Sequence, residues 1–147
     1  FLYGELLYDM KQYPEAANQY LLSIKKAPTG KYAEKAAQNT LLSVEKSLPS
    51  DAELQKRAGN SIEPLPMEQS ITKFISTANW YLEKYPKAPN AAEIKFRVGR
   101  LYYLTNNFAP AEKHFKDIVK DHSNTKFSEY SANLLLDIYS LKKDYAG

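Results

Sequence analysis

The chain has 147 residues, enough for one domain with a sizeable core, since a chain of this length buries about 68–70% of its unfolded surface. Hydrophobic residues make up 44% and charged residues 25%, which excludes a disordered tail, and 5 glycines are too few for a collagen-like fibre. The net charge of +3 is spread along the chain and requires no nucleic-acid partner, and the lack of cysteine excludes disulfides and thiolate metal sites.

Apolar residues recur at helical spacing in most of the chain. Ala, Leu, Lys and Glu are frequent, and Val and Ile rarely cluster, so helices are favoured over strands. We therefore predict an all-α protein with about seven long helices. Their predicted bounds, in chain order, are Phe1–Lys11, Pro14–Ala27, Lys31–Leu48, Pro66–Tyr85, Asn90–Asn106, Ala109–Asp121 and Lys126–Lys142.

Short joints rich in Pro, Gly, Asn and Ser separate most of these helices. Such short joints predict antiparallel helical hairpins. The exception is the segment 49–66, which carries three prolines, Gly59 and Asn60 and has room for one helical stretch from Asp51 to Arg57. We expect this Pro-rich excursion to be irregular.

An internal repeat is visible in the spacing of glycines and aromatic residues. From Gly99, the related positions lie at Tyr102, Phe108, Ala111, Phe115, Ile118 and Ser123. From Gly4, they lie at the same intervals at Leu7, Tyr13, Ala16, Tyr20, Ser23 and Pro28. This pattern resembles that of the tetratricopeptide repeat, in which Gly and Tyr lie on the first helix and Ala-x-x-x-aromatic on the second.

The resemblance implies antiparallel hairpins stacked as a right-handed α-solenoid. Small residues at Gly99 and Ala111 are expected where the two helices of a hairpin come closest, because a larger side chain would hold them apart. Tyr102, Phe108 and Phe115 are expected to fill the space between hairpins.

A further unit follows 37 residues later, where Pro86 corresponds to Ser123 and Tyr102 to Tyr139. This longer period, with its Tyr-Pro motif, is similar to a subclass found in bacterial envelope proteins, such as outer-membrane assembly lipoproteins and periplasmic coordinators of cell division. The resemblance favours a periplasmic or outer-membrane-associated location. The predicted organisation is one array with units at 1–28, 29–86, 87–123 and 124–147.

The second unit departs from the pattern. Phe74 replaces the small residue expected there, and the Pro-rich excursion separates the first helix of the unit from the next. The hairpin has either a long loop or an intervening unpaired helix.

In tetratricopeptide arrays the first helices line a concave groove, which implies a binding surface for a protein or peptide. The positions carried over from the family are Glu5, Tyr8, Asp9, Gln38, Leu42, Glu45, Lys46, Phe96, Arg100, Tyr103, Leu104, Asn133 and Asp137. Acids, aromatics and one arginine suit an extended or helical peptide, while a merely solvated face is the alternative. The Lys-and-Asn clamp of chaperone-binding members is absent, since Glu5 and Asp9 stand in the first unit.

Other kinds of site have weaker support. His114, Asp117 and Asp121 share one predicted helix face, but interleaved lysines favour an ordinary charged surface over a metal site. Neither a nucleophile triad nor a phosphate-binding loop is present, so we expect no enzyme activity and no cofactor. RNA binding would need an arginine-rich stripe, and the arginines are only Arg57, Arg97 and Arg100.

Trp80 and His122 can each be explained by a structural role. Either Trp80 or Tyr81 is expected to face outward, since helical spacing cannot bury both with their neighbours. Trp80 would then be a binding anchor or, as we favour, a packing residue beneath the excursion. His122 is expected at a helix end.

The sequence as a whole predicts a non-catalytic scaffold that binds a protein or peptide partner. The alternative is a docking domain of a larger enzyme or regulator. No apolar run reaches the ~18 residues of a membrane-spanning helix. Both ends interrupt repeats, so we expect a longer parent array, exposed apolar residues at Phe1, Leu2, Leu135 and Tyr139, and self-association through these ends.

Overall fold

The computed structural model describes residues 33–146, with side chains described as far as residue 143. Within this range the chain is all-helical, as predicted, with six helices and no strand. The helices are α1 (Ala33–Glu45), α2 (Asp51–Ala58), α3 (Gln69–Lys84), α4 (Ala91–Leu104), α5 (Phe108–Asp121) and α6 (Lys126–Ala146). The predicted helices Phe1–Lys11 and Pro14–Ala27 lie outside the described residues.

Contacts divide the chain into two compact units. Among the described residues, the first comprises 33–49 and Glu68–Pro86, and the second comprises Ser50–Met67 and 87–146. Most of the Pro-rich excursion therefore packs with the helices that follow residue 87. The helical stretch predicted within it is α2.

In the first unit, α1 packs on α3. The buried face of α1 carries Ala33, Ala36 and Ala37, whereas that of α3 carries Phe74 and Tyr81. Phe74 stands where the repeat pattern has a small residue, and its large side chain is buried within this unit.

Of Trp80 and Tyr81, Tyr81 is the ring that faces inward on α3. Its side chain is fully buried, its hydroxyl accepts a hydrogen bond from Gln38 Nε2 (3.4 Å), and its ring lies 5.2 Å from that of Tyr85. Trp80 remains partly exposed, so the predicted choice between the two rings is resolved in favour of Tyr81 inside. Burial, with Glu34 and Tyr81 nearby, raises the pKa of Tyr85.

In the second unit, α4 is the central helix. Its buried residues lie on nearly every side of the helix, because α2, α5 and α6 all contact it. A helix that is apolar around most of its circumference is the expected core element of such a bundle. The buried residues are Ala91, Ala92, Ile94, Phe96, Val98, Gly99, Leu101 and Leu104.

The α4–α5 hairpin has the close crossing that the repeat pattern predicts. A Cβ on Gly99 would lie 2.8 Å from Phe115 Cε1 and 3.1 Å from His114 Cβ, and Ala111 is fully buried. The turn between the helices depends on Asn106, whose φ of 62° is a left-handed conformation that Asn tolerates better than most residues.

The segment after α2 is tied to this turn. The side-chain amide of Asn106 donates to the backbone carbonyls of Ser61 (3.0 Å) and Glu63 (2.9 Å). The Leu65 amide donates to the Thr105 carbonyl (2.8 Å). This turn therefore provides hydrogen-bond partners for backbone groups of residues 61–65, which lie outside any helix.

Helices α5 and α6 share a core that includes Phe115, Ile118, Leu135 and Ile138. The prediction that Leu135 is exposed was wrong, because its side chain is only 9% exposed. Leu135 and Ile138 are three residues apart and face α5, whereas Leu136 points about 100° away around the helix and is 66% exposed. Tyr139 is exposed, as expected.

Glu112 joins α5 to α6. Its carboxylate accepts hydrogen bonds from Lys142 and, at 2.9 Å, from Lys116, and these contacts lower the pKa of Glu112 to about 2. The folded-state pKa lies below the unfolded value, so the stabilisation is present above about pH 4.5 and is lost as pH falls toward 2.

We expect Glu112→Gln to lower the free energy of unfolding at pH 6, because the ion pairs with Lys116 and Lys142 are lost. The loss should be only about 1 kcal/mol, since both lysines are more than half exposed. At pH 3 the difference between variant and parent should shrink. Urea unfolding followed by circular dichroism at the two pH values measures it. An equal difference at both would show that the Glu112 contacts do not titrate in this way.

Candidate functional site

A groove with a volume of about 480 Å³ lies between α4 and α6. Both helices contribute side chains to its lining. The residues that line the groove are Glu93, Phe96, Arg97, Arg100, Phe127, Tyr130, Asn133 and Leu134.

The floor of the groove is aromatic. The Phe96 ring lies 5.6 Å from that of Phe127 and 5.9 Å from that of Tyr130, and it also contacts the Phe115 ring of the core at 5.8 Å. Phe96 is buried, but Tyr130 is 45% exposed. The core therefore continues into a surface where one large ring is open to a partner.

The α4 side of the groove is charged. Arg97 pairs with Glu93 at 2.7 Å, and Arg100 pairs with Asp51 of α2 at 2.7 Å. All four side chains are 41–47% exposed. Exposed pairs of this kind contribute only about 0–1 kcal/mol, so Arg100 can exchange Asp51 for another carboxylate at little cost.

The α6 side is less charged. Asn133 is exposed and Leu134 is half-buried. The Lys126 ammonium lies 5.3 Å from the centre of the Phe127 ring, at the start of the helix. The groove thus combines apolar contact area with polar groups along both edges.

Three of the predicted surface residues meet in this groove, namely Phe96, Arg100 and Asn133. Tyr103 and Leu104 instead line a second space of about 310 Å³, together with residues of α2 and the segment that follows it. Burial is the main cause of a raised pKa at Tyr103, and the nearby Asp137 carboxylate raises that pKa further. Tyr103 and Asp137 are therefore neighbours outside the main groove.

The remaining predicted positions belong to the first unit or lie outside the described residues. Gln38 is held by Tyr81, while Leu42 and Lys46 are exposed and Glu45 is half-buried. Glu5, Tyr8 and Asp9 fall in the part of the chain that is not described. The structure relates none of these positions to the groove.

Sequence reasoning missed several lining residues. Arg97 and Glu93 lie one turn and two turns before Arg100 on the same face of α4, and Tyr130 lies one turn before Asn133 on α6. Helical periodicity could have found these three. Nothing in the sequence links Asp51 to Arg100, since that contact arises from the packing of α2 on α4.

The two histidines make local structural contacts, and His122 lies at a helix end as predicted. His114 Nδ1 donates to the Pro110 carbonyl (3.0 Å), and its ring lies 5.4 Å from that of Tyr102. His122 lies at the end of α5, where its Nε2 accepts a hydrogen bond from the Lys95 ammonium (3.0 Å). Burial is the main cause that lowers the pKa of His122, and the positive charge of Lys95 lowers it further.

In the described part of the chain, no three His, Asp or Glu side chains converge on a possible metal site. No helix among residues 33–146 is long and apolar enough to span a bilayer.

Comparison with known proteins adds no assignment. No family model matches the sequence, and searches of curated proteins and of solved structures find no significant match.

Proposed function

We propose that this chain is a non-catalytic, protein-binding domain of the tetratricopeptide type, and that a polypeptide binds in the groove between α4 and α6. The observation that carries the proposal is the combination of an aromatic floor, with Tyr130 half-exposed, and charged residues along one edge. Aromatic and arginine side chains are the residues that most often dominate the energy of protein interfaces.

The shape of the groove favours a chain-like ligand over a compact one. The charged positions 93, 97 and 100 extend along α4 over about 10 Å, at 1.5 Å per residue. A ligand that contacts both ends must be extended along the helix, as a peptide segment is. The envelope-type resemblance of the Tyr-Pro motif makes an assembly in the bacterial envelope the setting we propose.

The proposal is tested by selecting binders from a displayed library of random 16-residue peptides and titrating the enriched peptides against variants. Tyr130→Ala should weaken binding about tenfold, because an exposed aromatic anchor is removed from the floor of the groove. The melting temperature should change little, since the Tyr130 side chain is already half-exposed.

Lys113→Ala on α5 is the matched control, because this exposed side chain does not line the groove. It should leave the dissociation constant unchanged. If no peptide is enriched, or if binding is sensitive to Lys113 and not to Tyr130, the proposed function is wrong or assigned to the wrong face.

A further inference from the structure

Helix α2 shows how one short helix already binds to α4. Leu54 of α2 is 1% exposed, and Asp51, one turn earlier, pairs with Arg100. Ser50 caps the helix by accepting a hydrogen bond from the Glu53 amide (3.1 Å). The helix that contacts α4 here therefore combines a carboxylate paired with Arg100 and a buried leucine three residues later.

The adjoining groove offers the same two features. Its floor is the aromatic cluster of Phe96, Phe127 and Tyr130, which suits an aliphatic side chain. Its α4 edge carries Arg97 and Arg100 one turn apart. A helix laid along this edge can therefore place a carboxylate and an apolar residue together, as α2 does.

The charge of the groove favours an acidic ligand. Two guanidinium groups and one carboxylate line it, and the Lys126 ammonium adds positive charge next to Phe127. Arg100 is held by Asp51 in a half-exposed pair, which a carboxylate from another chain can replace with little change in free energy. Asp51 thus occupies the position that an acidic ligand would take.

On the basis of the proposed function, we infer that the partner segment is an acidic amphipathic helix. One of its carboxylates replaces Asp51 at Arg100, and an apolar side chain one turn away packs on the Phe96–Phe127–Tyr130 floor. Asp51 acts as an internal competitor that sets the affinity of the groove for such helices.

Two fluorescein-labelled probes test this inference by fluorescence anisotropy. One is a 16-residue, alanine-based helical peptide with Glu and Leu repeated three residues apart, and the other has Gln in place of every Glu. The parent chain should bind the Glu probe about threefold more tightly than the Gln probe, since exposed ion pairs contribute at most about 1 kcal/mol, and added salt should reduce the difference.

Arg100→Gln should abolish most of the preference for the Glu probe. Asp51→Asn should tighten binding of that probe about threefold and leave the Gln probe unaffected, because only the competing charge is removed. Circular dichroism checks that both variants keep the helical content of the parent, and Arg100→Lys should restore part of the preference.

The outcomes separate this inference from the proposed function. If library-selected peptides bind through Tyr130 but the Glu probe shows no advantage, or neither probe binds, the acidic-helix inference is overturned and peptide binding stands. An Asp51→Asn variant that weakens the Glu probe would likewise contradict competition at Arg100. If the library yields no groove-dependent peptide, both proposals are overturned.

Discussion

Replacement of Gly99 by leucine should lower the free energy of unfolding by about 3 kcal/mol, through overpacking where α4 crosses α5. Even a Cβ at this position would lie 2.8 Å from Phe115 Cε1, inside any normal contact distance. Phe115 is fully buried and cannot move without opening the core it shares with Ile118 and Ile138. Urea unfolding monitored by circular dichroism measures the loss.

Gly99→Ala is the graded control. Alanine has a helix propensity about 1 kcal/mol more favourable than that of glycine, but its Cβ still lies too close to Phe115. The net loss in free energy of unfolding should therefore be smaller than for leucine. A double-mutant cycle with Phe115→Leu should show that the two sites interact, since the smaller side chain removes the contact. Unfolding of Gly99→Leu within error of the parent would contradict the close crossing.

Tyr81→Ala should cost about 3–5 kcal/mol in the first unit, because a fully buried ring is removed from the α1–α3 interface. Tyr81→Phe is the matched control: it keeps the ring and loses only the 3.4 Å hydrogen bond from Gln38, so it should cost about 1 kcal/mol or less.

The chain's only tryptophan, Trp80, lies on α3 beside Tyr81 and reports on this unit by fluorescence. Its emission should follow the unfolding transition of the first unit in each variant. If Tyr81→Ala and Tyr81→Phe are equally mild, the ring does not hold α1 against α3 as the structure indicates.

Much of the helical architecture could be predicted because apolar periodicity and small residues are local properties of the sequence. The spacing of Gly99, Ala111 and Phe115 predicts the close crossing of α4 and α5, and the distances around Gly99 agree with it. The end of α4 was harder to place: the predicted helix ran to Asn106, but the positive φ of that residue ends it at Leu104. A hydrogen bond to a distant segment, invisible in the sequence, accompanies that turn.

The candidate site could be predicted only in part. The resemblance to the tetratricopeptide pattern predicted Phe96, Arg100 and Asn133 on one surface, and the structure brings these three residues together in one groove. Tyr103 was assigned to the same surface, but it lines a separate space because α2 and the following segment lie against that end of α4. The Pro-rich excursion has no counterpart in the repeat pattern, so the residues that it contributes to this second space are placed by tertiary packing alone.

Which side of α6 faces the core was also not decided by the sequence alone. Leu135 and Leu136 are adjacent, and apolar spacing admits either one at the core. Packing against α5 buries Leu135 with Ile138 and leaves Leu136 exposed. The stacking of the hairpins into a solenoid stays a prediction from the repeat pattern.

The central claim is that a polypeptide binds between α4 and α6, and amide chemical-shift mapping by NMR with a library-selected peptide tests it most directly. The largest changes should fall on residues 93–100 of α4 and 127–134 of α6, and they should saturate with the dissociation constant found by titration. Changes concentrated on the exposed face of α5, at Lys113, Asp117 and Lys120, with none in the groove, would contradict the account.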